Sequence, residues 1–474
     1  MKTKKIIALM LSLAMVLGVA AACTTNDGGD TPAATSGTQA PDATEAPTAS
    51  EDAEESVEST DSAIAQTSAY TELAIADVTD EGDKVLLYGW NDEFPGLVTN
   101  YSSVEYDQEI TESNTYQTKL DQVLASGEDA PDIFVTDAEW TKKYINSENT
   151  LAVNDLGIAY SELTDMYNYT LQVAADDNNV IKGLCWQATP CGIFYNKTVA
   201  QETLGVSEPE DVAPFFADWD AVIETARTVN EASNGEKKIV SGFDDVWVAF
   251  RGNANRTQPW ISNGQVTVDP VMEDYFDIAK TLKDEGLTFE TSQWGAEWTA
   301  NMENQTVLSY WGPMWLADFC MNMGADGTNP TKGDWGLVLG PCDFYWGGTW
   351  MMASKYCDMK ASVAQIMRDI ALNPDTLDTL ARSGACSFVN SYSIMEGLAN
   401  DPTYGVDYLG GQNAAAVLFE KAQDIDMSAI GVNDQQIMTE FSNVVNSYLN
   451  GDIATVADAE DTFIANVQEL GITE

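Results

Sequence analysis

Val85-Leu86-Leu87-Tyr88, then Tyr116-Gln117-Thr118-Lys119-Leu120 with Val123 and Leu124, then Ile133-Phe134-Val135: these three runs decide the fold. The first is a short unbroken apolar run, the pattern of a buried strand. It ends at Gly89-Trp90-Asn91-Asp92-Glu93, followed by a loop with Pro95-Gly96. The second is apolar at three- and four-residue spacing, a helix that stops at Ser126-Gly127. The third follows Pro131 and ends at Thr136-Asp137, a second strand. Strand, helix and strand in that order predict a βαβ unit and an α/β fold with a mostly parallel sheet. Ligands of such sheets bind beyond the carboxyl ends of the strands, which is where Trp90, Asp92 and Asp137 fall.

Downstream, Thr189-Pro190 to Asn196 reads as another strand around Gly192-Ile193-Phe194-Tyr195. Helices are predicted over 220–230 and 272–285. Ile437, Phe441, Val444, Val445, Tyr448 and Leu449 share one apolar face, with Asp434 as its cap and Gly451 as its stop. A last helix is predicted over 456–470. The chain has 474 residues, too many for one compact core, so two lobes are expected.

Upstream of Lys84 the pattern changes. Lys2, Lys4 and Lys5 precede an apolar run over 6–22, the layout of a secretory signal. Residues 24–68 are mostly Thr, Ala, Ser, Pro, Asp and Glu. Such a segment buries too little apolar surface to offset its ordering entropy, so it reads as a disordered spacer. Its root-mean-square reach would be roughly 30–45 Å.

Composition narrows the function classes. Acidic residues number 75 against 22 basic ones, a formal net charge of -53. That field repels phosphate backbones, so no nucleic-acid partner is expected. Histidine is absent, which excludes Ser-His-Asp and Cys-His catalysis and imidazole-ligated metals. Carboxylate-pair chemistry stays open. Besides Cys23, the chain has Cys185, Cys191, Cys320, Cys342, Cys357 and Cys386. In an exported protein these six read either as disulfides or as buried free thiols.

Two resemblances add to this reading. Ala20-Ala21-Ala22-Cys23 is similar to the bacterial lipobox, with Ala20 where Leu is usual; the likeness implies cleavage before Cys23 and lipid attachment there. The blocks from Lys84 to Asp92 and from Tyr116 to Asp137, with Leu124-Ala125-Ser126-Gly127 and Ala130-Pro131-Asp132-Ile133, resemble family 1 extracellular solute-binding proteins. This is the maltose-binding-protein-like group that serves carbohydrate ABC importers. The likeness continues in Pro190-Cys191-Gly192-Ile193-Phe194-Tyr195-Asn196-Lys197, Leu204-Gly205, Trp219-Asp220, Trp311-Gly312-Pro313-Met314-Trp315 and Gly347-Gly348-Thr349-Trp350. It implies a periplasmic-binding-protein-like (Venus flytrap) fold, two discontinuous α/β lobes closing over solute. The implied partition is a signal peptide over 1–22 and lipidated Cys23 with its linker over 23–82. Lobe 1 would span 83–190 and 345–404, and lobe 2 would span 191–344 and 405–474. It further implies a monomer outside the cytoplasmic membrane, delivering a carbohydrate to ABC permease subunits, with no cofactor, no metal and no catalytic residue.

Nine of the 13 tryptophans lie from Trp247 to Trp350. Sugars pack their C–H faces on aromatic rings and need polar partners for their hydroxyls. By position, the expected platforms are Trp90, Trp247, Trp315 and Trp350. Trp311, Trp294 and Trp298 rank lower, the last two at the spacing of a single helical face. Asp92, Glu93 and Asp137 are the expected hydroxyl acceptors, and Asp137 reads equally as a helix cap. Asp245 and Arg251, flanking Trp247, are second-rank contacts. Rival readings are a surface glycoside-active enzyme using paired carboxylates, a binder of a non-sugar solute such as a polyamine or a metal, and an adhesin or structural surface protein.

Overall fold

The computed structural model describes residues 67–321 and 330–472. The expected signal segment, Cys23 and the linker up to residue 66 lie outside the described residues. Among the described residues, no helix is long and apolar enough to cross a membrane.

Five strands form the first sheet: β1 (Val85–Gly89), β2 (Tyr106–Ile110), β3 (Ile133–Asp137), β4 (Leu184–Cys185) and β10 (Thr349–Ala353), in the order β2-β1-β3-β10-β4. β1 pairs in parallel with β2 and β3, whereas β10 runs antiparallel to β3 and β4. The second sheet has the order β8-β5-β9, from β5 (Cys191–Asn196), β8 (Ser309–Pro313) and β9 (Trp335–Val338), and both its pairings are antiparallel. The expected mostly parallel architecture thus holds only around β1. Parallel neighbours need a helical crossover between them, which the chain supplies locally up to β3. β5, β9 and β10 flank passages from one sheet to the other, and the direction of passage sets their sense. A hairpin, β6 (Ile261–Ser262) with β7 (Gln265–Val266), stands apart. Asn263 and Gly264 turn it, both at positive φ, the backbone that a two-residue hairpin demands.

The expected loop at Pro95-Gly96 is instead the helix Glu93–Tyr101. Pro95 sits in its first turn, where a missing N–H leaves no intrahelical bond unmade. That helix leads to β2, a strand absent from the sequence reading. The helix Ser113–Ser126 buries Tyr116, Leu120, Val123 and Leu124, and Gly127 ends it in the left-handed conformation at φ 75°. The Tyr116 hydroxyl donates to the carbonyls of Tyr88 and Val135, pinning the ends of β1 and β3 together.

In the second lobe, the helix Asp434–Leu449 buries Ile437, Phe441, Val444, Val445 and Leu449, as the periodicity predicts. Phe441 packs among Trp247, Trp260, Phe276 and Phe463 with centroids 5.2–5.5 Å apart. Asp434 does not cap this helix. It is the first helical residue, and its carboxylate takes the Gly431 N–H and the Arg256 guanidinium, a buried pair at 2.7 Å.

Between the sheets, the passage from β4 to β5 and the passage from β9 to β10 run side by side, bridged at Pro190 and Tyr345. Gly252 closes against them: a β-carbon there would lie 1.8 Å from the Tyr345 carbonyl oxygen. Only glycine permits that approach.

The linker expectation needs one correction. From Thr67 onward the chain is fastened to the first lobe. Thr71 N–H bonds Asn179 O, the Leu73 and Ala76 N–H groups bond Asn154, and Glu81 N–H bonds Asp358 O. Asp80 accepts from the Ser362 N–H and hydroxyl. Tyr70 packs on the core, but Leu73 and Ile75 stay exposed, so polar pairing does much of the holding and apolar content alone does not reveal the strap.

Candidate functional site

Two adjoining chambers, of about 330 and 240 Å³, lie between the lobes. Trp90, Asp137, Trp294 and Trp315 line both and form the waist. The larger chamber adds Tyr116, Glu139, Trp140, Arg251, Gln293 and Trp346. The smaller adds Asn91, Glu93, Gln187, Phe319 and Thr349.

Strand ends supply the first-lobe wall. Trp90 follows the last residue of β1 and packs edge-on against Tyr116 and Trp140, each at 5.6 Å. Asp137 ends β3 and caps the helix Ala138–Ile145, one carboxylate oxygen accepting the Glu139 N–H at 2.9 Å. The same residue borders both chambers, so cap and cleft position coincide. Burial, with the neighbouring Glu139 charge behind it, raises the Asp137 carboxyl to about 7. Glu93 opens the helix Glu93–Tyr101, and burial raises its carboxyl to about 7 as well.

Across the gap, Trp315 stands just after β8 and donates from its indole N–H to the Trp346 carbonyl at 3.1 Å. Its ring lies 4.6 Å from Trp346 and 6.1 Å from Trp294, nearly parallel to the latter. Trp294 is 57% exposed and has positive φ, a costly backbone for a bulky residue. Arg251, last in the helix Phe243–Arg251, spans the gap to Glu139 at 2.5 Å and lies over the Trp346 ring. Its Nε and the Gln293 Nε2 are buried with no partner among the described residues; buried donors left so are costly, and both residues line the larger chamber. A second bridge closes the far side, where the Asp318 carboxylate accepts from the Ser387 N–H and hydroxyl.

Of the residues expected from sequence, Trp90, Glu93, Asp137 and Trp315 meet at this cleft. Three do not. Trp247 is 7% exposed, stacked on Phe441 in the second-lobe core. Trp350 is 1% exposed in β10, its N–H held by the Thr170 carbonyl. Asp92 is exposed at the start of the helix Glu93–Tyr101 and lines neither chamber. Among the second-rank residues, Arg251 is in the wall. Asp245 is buried, taking the Ser241 and Gly242 N–H groups and the Trp298 indole N–H at 2.7 Å. Trp294 and Trp298 part company, the first in the cleft and the second in the core; Trp311 is core too. Trp140, Trp346, Gln293, Glu139 and Gln187 were missed. Trp140 had a signal, one turn after the strand-end Asp137; Trp346 had another, beside the Gly347-Gly348 pair.

The six body cysteines are all free thiols. Burial raises those of Cys185, Cys320 and Cys342 to about 12, which makes them inert at neutral pH.

The comparisons with known proteins agree with this geometry. The profile described as bacterial extracellular solute-binding protein matches residues 91–403. A crystal structure of an extracellular solute-binding protein family 1 member superposes with a TM-score of 0.67 at 16% identity, covering 82% of this chain and 99% of that one. An ABC-transporter-associated binding protein from B. animalis subsp. lactis Bl-04, in complex with beta-1,6-galactobiose, superposes at 0.65 and 20% identity, covering 82% and 98%. The galacto-N-biose-/lacto-N-biose I-binding protein of Bifidobacterium longum gives 0.63 and 16%, covering 83% and 100%. No curated protein matches the sequence. With that profile over most of its length and a two-lobed fold around a cleft, this chain belongs to the bacterial extracellular solute-binding protein family.

Proposed function

We propose that the protein captures a carbohydrate, an oligosaccharide, between its lobes and delivers it unaltered to the permease subunits of an ABC importer. The observation that carries this reading is the aromatic waist: Trp90, Trp294 and Trp315 border both chambers, with carboxylates and unpartnered donors beside them. Indole faces suit sugar C–H faces, and the polar groups suit hydroxyls. Sugar complexes among the structural relatives support the same class. A ligand held by both lobes favours the closed form by its differential affinity for it.

On this reading the protein is a monomer outside the cytoplasmic membrane, tethered through a lipid on Cys23. Cys23→Ala should release it from the membrane fraction, and retention of that variant would refute the tether. A thermal-shift and calorimetric screen over mono- and oligosaccharides tests capture. Saturable binding of an oligosaccharide is expected, and silence across the panel would overturn the sugar reading. The two raised carboxyls of the cleft, Glu93 and Asp137, favour one rival, glycoside hydrolysis by a carboxylate pair. Chromatography of the bound sugar after long incubation separates the two: recovery intact supports capture, and cleavage supports the enzyme.

A further inference from the structure

The cleft is lined by more carboxyl groups than cations. Three carboxyls face it: Glu93, Asp137 and Glu139. Arg251 is the cation in its wall, and it is committed to Glu139 at 2.5 Å. Lys142, on the same helix as Glu139, turns away; its ammonium is held by the Gln172 and Ala175 carbonyls at 2.7 and 2.6 Å. Asp137 receives one backbone N–H. The Glu93 carboxyl has no hydrogen-bond or ionic partner among the described residues, and burial is the sole cause acting on it. Both line the smaller chamber beside the rings of Trp90, Trp294, Trp315 and Phe319, and Asp137 borders the larger one too.

Closing this chamber over a neutral hydroxyl would leave Glu93 and Asp137 either charged without a full counter-charge, which is costly, or protonated, the state their burial already favours. An acidic sugar would make matters worse by like-charge repulsion. An ammonium supplies three donors and the missing charge, and indole faces attract cations. The partnerless donors, Arg251 Nε and Gln293 Nε2, sit in the other chamber, where hydroxyl or carbonyl oxygens fit. The unpartnered acceptor, Glu93, and the unpartnered donors thus line different chambers, with Asp137 shared between the two.

We propose that the physiological ligand carries a protonated amine, seated between Glu93 and Asp137 against Trp90 and Trp315, with its oxygen-rich remainder toward Arg251 and Gln293. On the carbohydrate reading of the cleft, on which this rests, the class is an amine-bearing oligosaccharide.

The test is titration calorimetry on the full chain near pH 7 with three probe sets: neutral disaccharides, their 2-amino-2-deoxy counterparts, and a linear aliphatic diamine. An amine-bearing disaccharide should bind at least about tenfold more tightly than its neutral counterpart, and the advantage should shrink as salt rises. In Glu93→Gln and Asp137→Asn the ratio of the two affinities should fall toward one. The salt series on the unaltered protein decides the matter even where a variant misfolds. Equal or tighter binding of the neutral sugars overturns the proposal and leaves the sugar reading standing. Binding of the diamine alone upholds the amine and removes the sugar. No binding by any probe overturns both.

Discussion

Replacing Trp315 by alanine tests the cleft most directly. The indole lies at the waist of both chambers, 4.6 Å from Trp346 and 6.1 Å from Trp294. An aromatic side chain buries about 150–250 Å² in all, so one face covered by a sugar ring is roughly a third of that, about 65 Å². At about 25 cal/mol per Å² this face contributes roughly 1.6 kcal/mol. The ring-specific attraction adds roughly 0.5–1.5 kcal/mol, by analogy with aromatic pairs. A total near 2–3 kcal/mol weakens Kd by about 30- to 150-fold. Calorimetry with whichever sugar the screen identifies would measure it, with circular dichroism confirming the fold. Trp350→Phe is the matched control, since that ring is buried in the first sheet and its loss of the Thr170 bond should lower stability with little change in affinity. A Kd shift below about threefold in a folded Trp315→Ala protein would refute the placement of the ligand against this ring.

Three further outcomes follow from the geometry. Trp247→Ala should lower unfolding free energy by about 3–5 kcal/mol through the cavity left beside Phe441 and Tyr275; chemical denaturation would read it, and lost affinity at unchanged stability would contradict the core assignment. Asp434→Ala should cost about 3–5 kcal/mol, because it strands the Arg256 guanidinium in a site where that side chain is 5% exposed; a cost below about 1 kcal/mol would contradict it. The pH dependence comes from Glu93, Asp137 and Asp318, each raised to about 7 by burial. A folded-state pKa above the unfolded one means the native protein holds the proton more tightly. Stabilisation from these groups is thus complete below about pH 4 and lost as pH rises through about 7. The melting temperature of the free protein should fall across that window, and Glu93→Gln should flatten the slope; an unchanged slope would count against the burial of that carboxyl.

Where a signal is local, the sequence showed it. β1, the helix Ser113–Ser126, β3, β5 and the helix Asp434–Leu449 each carry their own periodicity, and each formed. The helix Glu93–Tyr101 did not show itself, because Pro95-Gly96 reads as a break while a first helical turn tolerates proline. Strand sense in the second sheet was hidden because it depends on passages between sheets and on no residue of the strands themselves. The site divides in the same way. Strand-end position located Trp90, Glu93 and Asp137. Trp294, Gln293 and Trp346 come from loops and a crossing remote in sequence, and only the folded chain brings them together. Trp247 and Trp350 misled because a tryptophan suits a core as well as it suits a cleft. Val246 and Val248 around the one, and Met351 and Met352 after the other, already mark buried faces.

The strap that precedes β1 has a mechanical consequence. Its bonds land on Asn154, Tyr160, Asn179, Asp358 and Ser362, all in the half built on the five-stranded sheet. Any pull arriving along the chain from the N-terminal side therefore enters that half directly. The three-stranded half receives the load at second hand, through the passages near Pro190 and Tyr345 and the contacts that span the gap.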